Sequence, residues 1–306
     1  MLVWMLYKRC FLWILFAAGL SFPQVRFYNG GYSHLKEAQR LNQVIGYYQA
    51  TDEDSRFSRN SRKIEFLTTT DILDRIVPPG SAILDVGAGT GVYSFYYAEK
   101  GHDVTAVDLT PKHIDMIQRK RDNYASDIKL KAAVGDATDL SEYESEMYDV
   151  ALCFGPVYHL VEEEARNRCF RECLRVLKPG GILAAAYINK FDVMPMLATR
   201  DASFLRESVV DKMLNEGVIR SGDADCFWTD AYFTSPDEME QLLARFGVQV
   251  IDHAATDGLS HTIGDHIDRL TDEQFHVWVN YHKRTCRERT IMGISSHGLI
   301  AGRKAL

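Results

Sequence analysis

The feature that most constrains the fold is a short apolar run that ends in closely spaced glycines. Residues Ala82–Val86 have the pattern of a buried strand, and Gly87, Gly89 and Gly91 follow at alternate positions before a helical pattern begins at Val92. Glycines let the backbone turn sharply and approach a ligand closely. A helix that starts there offers free N–H groups and the positive end of its dipole. The run predicts a strand–turn–helix unit that holds a polar or anionic ligand.

The alternation of strands and helices continues beyond the glycine turn. Thr110 is predicted as the N-cap of a helix that begins at Pro111. Strands that alternate with helices form a mostly parallel, doubly wound α/β sheet with right-handed crossovers. The other predicted strands are Val104–Val107, Leu130–Val134, Tyr148–Phe154 and Ile182–Tyr187, and the other predicted helices are Val92–Lys100 and Glu162–Leu177.

Two acidic residues distinguish between the ligands that such a turn can hold. The dinucleotide fingerprint would place its third glycine at position 92, where this chain has Val92. Asp85 lies two residues before the first glycine, where a carboxylate would repel a pyrophosphate and attract a cationic amine. Asp108, at the end of the second strand, can accept hydrogen bonds from both ribose hydroxyls. The pattern indicates a nucleoside with a cationic tail, S-adenosylmethionine (SAM).

The ordered motifs resemble those of the class I SAM-dependent methyltransferases of the bacterial small-molecule type. The resemblance implies a Rossmann-like, seven-stranded sheet that is mostly parallel with an antiparallel last strand and carries helical cap and lid insertions. It also implies an enzyme that transfers the methyl group of SAM to a small-molecule acceptor by in-line displacement. The motifs concerned are Asp85 to Gly91, Asp108, Gly135-Asp136-Ala137, Tyr148-Asp149-Val150 and Leu177-Lys178-Pro179-Gly180-Gly181.

The resemblance assigns cofactor contacts to matching positions of this chain. Asp85 would meet the ammonium group, Asp108 the ribose and Asp136 the adenine amine. Asp136 can equally be a turn residue after its strand, and Asp108 can be a helix cap. A Tyr48 ring would cover the sulfonium as a cation–π face, or pack as an ordinary core residue. The residues expected around the cofactor are Tyr48, Asp85, Gly87, Ala88, Gly89, Gly91, Asp108, Leu109, Asp136, Ala137 and Phe154.

The segment after the fourth strand is expected to face the acceptor, since ligands bind at the carboxyl ends of parallel strands. Residues 154–160 lack the Asn/Asp-Pro-Pro-Tyr motif of enzymes that methylate exocyclic or side-chain amides. Tyr158 and His159 are the candidate catalytic residues, because a histidine titrates near neutral pH and suits a general base. A helix-start residue that bonds a backbone carbonyl is the alternative for His159.

The chain outside the sheet divides into further segments. Residues 1–22 are an apolar segment, either signal-like or a spurious extension, and residues 23–79 are predicted as a helical cap. Residues 80–306 are predicted as the SAM-binding domain, with lid insertions at 188–244 and 254–297. The elements expected in this region are helices at Asp201–Asn215, Pro236–Phe246 and Asp272–Arg289 and strands at Val248–His253 and Leu299–Arg303.

The net charge and the cysteine pattern limit the partners and metals that the chain can be expected to bind. The chain has 35 Lys and Arg against 42 Asp and Glu, whereas a sequence-independent nucleic-acid binder needs a basic surface. We therefore expect no nucleic-acid partner, and membrane contact only through residues 1–22. The six Cys form neither CxxC pairs nor a zinc spacing, so no metal is predicted. A cytoplasmic location is expected because SAM is made there. A non-catalytic SAM-binding protein and an NAD-dependent oxidoreductase are the alternative functions.

Overall fold

The computed structural model describes residues 42–306. This part of the chain forms a seven-stranded sheet and a separate two-stranded ribbon. The strands are β1 (Ala82–Val86), β2 (Asp103–Asp108), β3 (Leu130–Val134), β4 (Tyr148–Cys153), β5 (Leu177–Ile188), β6 (Val218–Ile219), β7 (Ala231–Tyr232), β8 (Gln249–Ala255) and β9 (His297–Arg303). Their order in the sheet is β3-β2-β1-β4-β5-β9-β8, and β6 pairs with β7 in a separate ribbon. In the sheet, only β9 runs antiparallel to its neighbours. The predicted Rossmann-like sheet with an antiparallel last strand is confirmed.

Helices cover both faces of the sheet and its carboxyl edge. They are α1 (residues 42–50), α2 (Asn60–Leu73), α3 (Val92–Glu99), α4 (Pro111–Asp122), α5 (Glu163–Val176), α6 (Val193–Arg200), α7 (Glu207–Asn215), α8 (Pro236–Arg245), α9 (Gly264–Ile267), α10 (Asp272–Thr285) and α11 (Arg289–Met292). The apolar segment 1–22 and the first part of the predicted cap lie outside the described residues. From residue 42 onward, no helix is both long and apolar enough to cross a membrane.

The central strands are apolar because both of their faces are covered. Leu84 on β1 packs on one face in a cluster with Phe170 of α5. Its neighbour Ile83 packs on the opposite face in a cluster with Ile117 of α4. All four side chains are fully buried. Alternate β1 residues thus anchor the two helical layers, which fixes the position of the glycine turn that follows.

Two of the predicted helices have wrong boundaries. The predicted helix Asp201–Asn215 is split, because the Asp201 carboxylate accepts the N–H of Ser203 and begins a separate 3₁₀ turn. Arg206 is extended, and only the second part of the predicted helix, α7, is an α-helix. The predicted helix Asp272–Arg289 ends early at Thr285, since Glu288 is extended and starts the next helix.

Strand β5 is longer than the predicted Ile182–Tyr187. It begins at Leu177, directly where α5 ends, and the Lys178–Gly181 turn pattern lies inside it. The register between β4 and β5 shifts at this point, so the glycine pair forms an irregularity in the strand. The prediction therefore places the irregularity at the correct residues, but these residues belong to the strand and do not form a separate turn.

Three buried thiols meet in the core between β4 and α5. The sulfur atoms of Cys153, Cys169 and Cys173 lie within 4.8 Å of one another, and Sγ of Cys153 is 3.7 Å from that of Cys169. The i, i+4 spacing on α5 predicts that two of them share a face. Cys153 joins them only through tertiary packing, so cysteine spacing in the sequence did not indicate a soft-metal ligand set of this kind. The thiols lie in the apolar core cluster.

Candidate active site

The glycine turn joins β1 to α3 at the carboxyl edge of the sheet. Gly87, Gly89 and Gly91 have φ angles of 75°, 55° and 85°, a region that favours glycine. The N–H groups of Gly87 and Ala88 donate to the carbonyl of Val107 at 2.7 and 3.0 Å. These bonds tie the turn to β2 and hold its backbone open toward the cavity beside it.

That cavity brings together residues from six segments of the chain. The predicted site residues that line it are Tyr48, Asp85, Gly87, Ala88, Gly89, Asp108, Leu109, Asp136, Ala137, Phe154, Tyr158 and His159. Gly91 is the exception among the predicted residues, because it begins α3 and packs away from the cavity wall. A Cβ on Gly91 would lie 2.9 Å from Cγ1 of Ile117 on α4. The absence of a side chain at Gly91 therefore allows α3 to pack against α4.

Replacing Gly87 by alanine should both strain the turn and deform the cavity. A Cβ there would lie 2.5 Å from Cδ of Pro156, which opens the acceptor-side turn. We expect Gly87→Ala to lower the free energy of unfolding by about 2–4 kcal/mol, because overpacking adds to the positive-φ cost. Gly101→Ala is the matched control, since Gly101 has a φ of 87° and open space around it. Equal destabilisation of the two variants in urea melts would contradict the packing argument.

Asp85 is a buried carboxyl that has no cationic partner among residues 42–306. It is 2% exposed, and its Oδ2 accepts the hydroxyl of Ser94 at 2.6 Å. Burial raises the pKa of Asp85 to about 7, and the nearby charge of Asp108 adds to this rise. A cation in the cavity would restore the ionised form. The site therefore fits a ligand with a positively charged amine.

The carboxylate of Asp108 organises the loops around it. Its Oδ2 accepts the N–H of Gly89 and its Oδ1 accepts that of Thr110, both at 2.8 Å. Thr110 occupies the predicted N-cap position, but its side chain makes no cap hydrogen bond. Asp108 instead accepts the N–H of Thr110 itself, in a turn that precedes the helix. It combines the predicted ligand position with a turn-forming role.

His113 is a cavity residue that sequence reasoning missed. Its Nδ1 lies 3.1 Å from Oδ1 of Asp108, so Nδ1 carries a proton, and in the neutral ring Nε2 offers a lone pair. That Nε2 is buried and has no hydrogen-bond partner among residues 42–306. Buried polar atoms are normally paired. A hydroxyl or amine group of a bound nucleoside could donate a hydrogen bond to this nitrogen. In the sequence, the position of His113 five residues after Asp108 was the one indication that it lies near the site.

Asp136 forms a turn and also lines the cavity. Its Oδ1 accepts both the N–H and the hydroxyl of Thr138, at 2.8 and 2.9 Å. This is the turn alternative for Asp136 realised in the structure. Its other carboxylate oxygen makes no hydrogen bond within the described part of the chain. Leu109 and Ala137 supply apolar surface at the same end of the cavity.

The acceptor side contains a hydrogen-bonded pair from distant segments. The hydroxyl of Tyr48 on α1 lies 2.6 Å from Nε2 of His159, and Nδ1 of His159 lies 3.1 Å from the carbonyl of Asp230. A carbonyl can only accept, so Nδ1 of the ring carries a proton. In the neutral ring, Nε2 then accepts from Tyr48. Burial raises the pKa of Tyr48 well above its usual range, which keeps the phenol protonated.

Aromatic rings surround this pair. Trp228 lies with its ring centroid 5.3 Å from His159 and 6.0 Å from Tyr47. The ring of Tyr158 lies 4.9 Å from that of His159, and burial raises the pKa of its phenol. Planar apolar walls with a few polar groups are typical of small-molecule sites. The backbone carbonyl of Asp230 precedes β7, so the β6–β7 ribbon positions the histidine, which no sequence motif indicated.

A partly buried ion pair completes the wall. Arg56 donates from Nη2 to both carboxylate oxygens of Glu65 at 3.0 Å, and both residues line the cavity. Burial lowers the pKa of Arg56, but the charge of Glu65 outweighs burial and the pKa is raised. Neither residue is among the site residues predicted from the sequence. Glu65 lies in the early part of α2, where the sequence pattern is that of an ordinary helix residue.

Part of the chain that forms this site matches a known protein family. The family model described as "Methyltransferase domain" matches residues 83–181. A ubiquinone biosynthesis O-methyltransferase of Xanthomonas axonopodis pv. citri (strain 306) is 27% identical over 178 residues, which are 58% of this chain and 66% of that protein. A cypemycin N-terminal methyltransferase of a Streptomyces species is 36% identical over 113 residues, 37% of this chain and 43% of that protein. The matches thus span less than two thirds of both curated relatives.

One of the similar solved structures is a SAM-dependent methyltransferase of Methanosarcina mazei. It superimposes with a TM-score of 0.53 at 20% identity and covers 77% of this chain and 97% of its own. At that identity the likeness concerns the fold. The overall fold is therefore shared with a chain of that class.

Proposed function

We propose that this chain, whose residues 83–181 match the methyltransferase-domain model, uses SAM to methylate a hydroxyl group of a small organic molecule. The observation that carries this proposal is the hydrogen bond between Tyr48 and His159 on the cavity wall. It joins a phenol to a ring nitrogen whose tautomer is set by the Asp230 carbonyl. That arrangement can remove a proton from a hydroxyl nucleophile.

The residues around the glycine turn are suited to hold SAM, the donor in this family. Asp85 would bind the ammonium group, and Asp108 with His113 would bind the nucleoside. Asp136 and Leu109 would take the base, as the motif positions suggest. When bound, SAM supplies an electrophilic methyl group on a sulfonium. The nicotinamide alternative has no support from the family assignment or from the uncompensated carboxyl of Asp85.

Tyr48 and His159 would form a short proton relay. The phenol of Tyr48 would accept the proton of the acceptor hydroxyl while passing its own proton to Nε2 of His159. The Asp230 carbonyl would stabilise the imidazolium through Nδ1–H. The high pKa of Tyr48 keeps the phenol neutral before the reaction. Alignment of the nucleophile with the methyl group would be left to the rings of Tyr158, Phe154 and Trp228.

An amine acceptor is the second candidate, because one relative is named an N-terminal methyltransferase. A neutral amine does not need a base before it attacks. The relay would then matter less for turnover. The two acceptor classes differ in how strongly turnover depends on the histidine.

Two measurements test the proposal. Calorimetry with the full chain should show binding of SAM and S-adenosylhomocysteine (SAH) and none of NAD. Methyl-labelled SAM, incubated with a small-molecule extract, should give a labelled product whose methyl resists the acid and base that cleave methyl esters, as expected of an ether. Binding without any turnover would favour the non-catalytic alternative. An N-methyl product would replace the hydroxyl acceptor by an amine.

A further inference from the structure

A cluster of three thiols lies in the core, outside the cavity described above. The Sγ atoms of Cys153 on β4 and of Cys169 and Cys173 on α5 all lie within 4.8 Å of one another. The three side chains are fully buried, and none of them lines the cavity. The cysteines within residues 42–306 are all free thiols. Three sulfur donors therefore converge from two elements of the fold, and neither catalysis nor a disulfide accounts for them.

The spacing of the sulfur atoms matches that of ligands around one three-coordinate ion. A soft ion binds sulfur at about 2.3 Å. With bond angles of about 90–120°, three sulfur ligands at that distance are about 3.3–4.0 Å apart. The Sγ atoms of Cys153 and Cys169 are 3.7 Å apart. The other two pairs, which lie within 4.8 Å, reach this range by closing less than about 1 Å.

The donor set favours a soft ion that needs only three ligands. Among residues 42–306, no fourth Cys and no His, Asp or Glu joins the group. Thiolates select soft ions, whereas calcium and magnesium require oxygen ligands. Structural zinc is almost always four-coordinate. The triad therefore lacks the fourth ligand that a structural zinc site would have.

The surroundings favour an ion that leaves the site without a net charge. The three thiols belong to an apolar cluster that also contains Leu84 and Phe170. Three thiolates carry three negative charges, so a monovalent ion would leave two of them uncompensated and a divalent ion one. A net charge in apolar surroundings is costly. A trivalent ion leaves none.

We propose that Cys153, Cys169 and Cys173 form a binding site for a trivalent, thiophilic metalloid ion, with arsenite as the probe. Arsenite near neutral pH is the uncharged acid As(OH)₃, so it can enter the core without the cost of burying a charge. Three As–O bonds break and three As–S bonds form, and each thiol proton leaves with a hydroxide as water. The balance is As(OH)₃ + 3 RSH → As(SR)₃ + 3 H₂O, with no electron transferred.

The site is separate from the proposed function but adjoins the cavity along the chain. Cys153 is the last residue of β4, and Phe154, Gly155 and Pro156, which follow it, line the cavity. A bound ion would link this strand end to α5 through three bonds. The unfolded chain does not hold the thiols together, so the ion should bind the folded chain preferentially and stabilise it.

Uptake of arsenite by the full, reduced chain tests the site. The chain is incubated with arsenite overnight without oxygen, so that local opening of the core can admit the probe, and free arsenite is then removed. We expect one arsenic per chain and three sulfur neighbours around it in X-ray absorption. We also expect a melting temperature several degrees above that of the chain without arsenite.

Single substitutions test each ligand. Cys153→Ala, Cys169→Ala and Cys173→Ala should each weaken arsenite binding at least about 100-fold, since loss of an outer-shell partner alone costs about 10–100-fold. Cys286→Ala is the matched control, because Cys286 is also buried but lies outside the triad. This variant should retain full uptake and the same rise in melting temperature.

Several results would overturn the proposal. They are uptake well below one arsenic per chain, fewer than three sulfur neighbours, or unchanged uptake in the three variants. Tight binding of Zn²⁺ or Cu⁺ without uptake of arsenite would overturn the assignment to a trivalent ion. If circular dichroism shows that a variant does not fold, the sulfur count of the unaltered chain and the remaining variants decide.

Discussion

The Asp85→Asn variant should bind SAM at least about 100-fold more weakly than the unaltered chain, because it lacks the charge that faces the ammonium group. The same variant should be more stable without ligand above pH 7. Its amide can still accept the hydroxyl of Ser94 and does not have to ionise in a buried place. Calorimetry and thermal melts at pH 5 and pH 8 measure the two effects.

The direction of the pH effect follows from the raised pKa. Asp85 has a folded-state pKa of about 7 against an ordinary value of 3.8. The unaltered chain therefore loses stability as pH rises from about 4 to 7, since the unfolded state ionises first. By pH 8 the Asn variant should be more stable by about 2–4 kcal/mol. Binding of SAM should also release a proton near pH 7, which calorimetry in buffers of different ionisation enthalpy detects.

Asp115→Asn is the control for this prediction. Asp115 is an exposed residue of α4 that pairs with Arg119, so its loss should change neither SAM binding nor the pH profile. An Asp85→Asn variant with full SAM affinity would contradict the assigned role of the carboxyl. If the Asp85→Asn variant melts at a lower temperature than the unaltered chain at pH 8, Asp85 has a cationic partner in the unaltered chain.

The His159→Gln variant should reduce kcat by about 10²–10⁴-fold if the acceptor is a hydroxyl, because it removes the final proton acceptor of the relay. Tyr48→Phe should reduce kcat as well, by interrupting the same relay. The double variant should lose about as much as the worse single variant, since residues that act as a unit are not additive. Initial rates with labelled SAM and the active extract fraction give these values.

His276→Gln is the matched control, because His276 is an exposed histidine of α10. The affinity of the His159 variant for SAM should stay close to that of the unaltered chain. If kcat falls by less than about threefold, the relay has no part in catalysis and an amine acceptor becomes the better interpretation. A multiplicative loss in the double variant would show that the two residues act separately.

The sheet and the meeting of the glycine turn, Asp85 and Asp108 at one cavity were largely predictable from the sequence. The run from Ala82 to Gly91 combines a fully buried strand with glycines at positive φ, and both requirements are local. The carboxyl groups of Asp85 and Asp108 follow strand ends, where parallel topology brings them to the same edge. Local patterns misjudged helix ends such as Asp201, because a side-chain hydrogen bond to Ser203 competes with the helix.

The acceptor side depends on contacts between distant parts of the chain. Tyr48 and His159 are 111 residues apart and meet through one hydrogen bond, and Asp230 sets the tautomer of the histidine from a third segment. Gly91 appeared to be a ligand residue, yet packing against Ile117 explains it. Periodicity and motif spacing carry no information on such pairings.

The sequence by itself determined the sheet and the glycine turn, because strand pattern and backbone freedom act over a few neighbouring residues. Only the tertiary structure decided which side chains lack a partner. The Nε2 atom of His113, which has no hydrogen-bond partner in the described part of the chain, and the raised pKa of Asp85 both depend on what surrounds a group after folding. Burial and pairing are properties of the folded environment, and these properties point to the donor and acceptor groups.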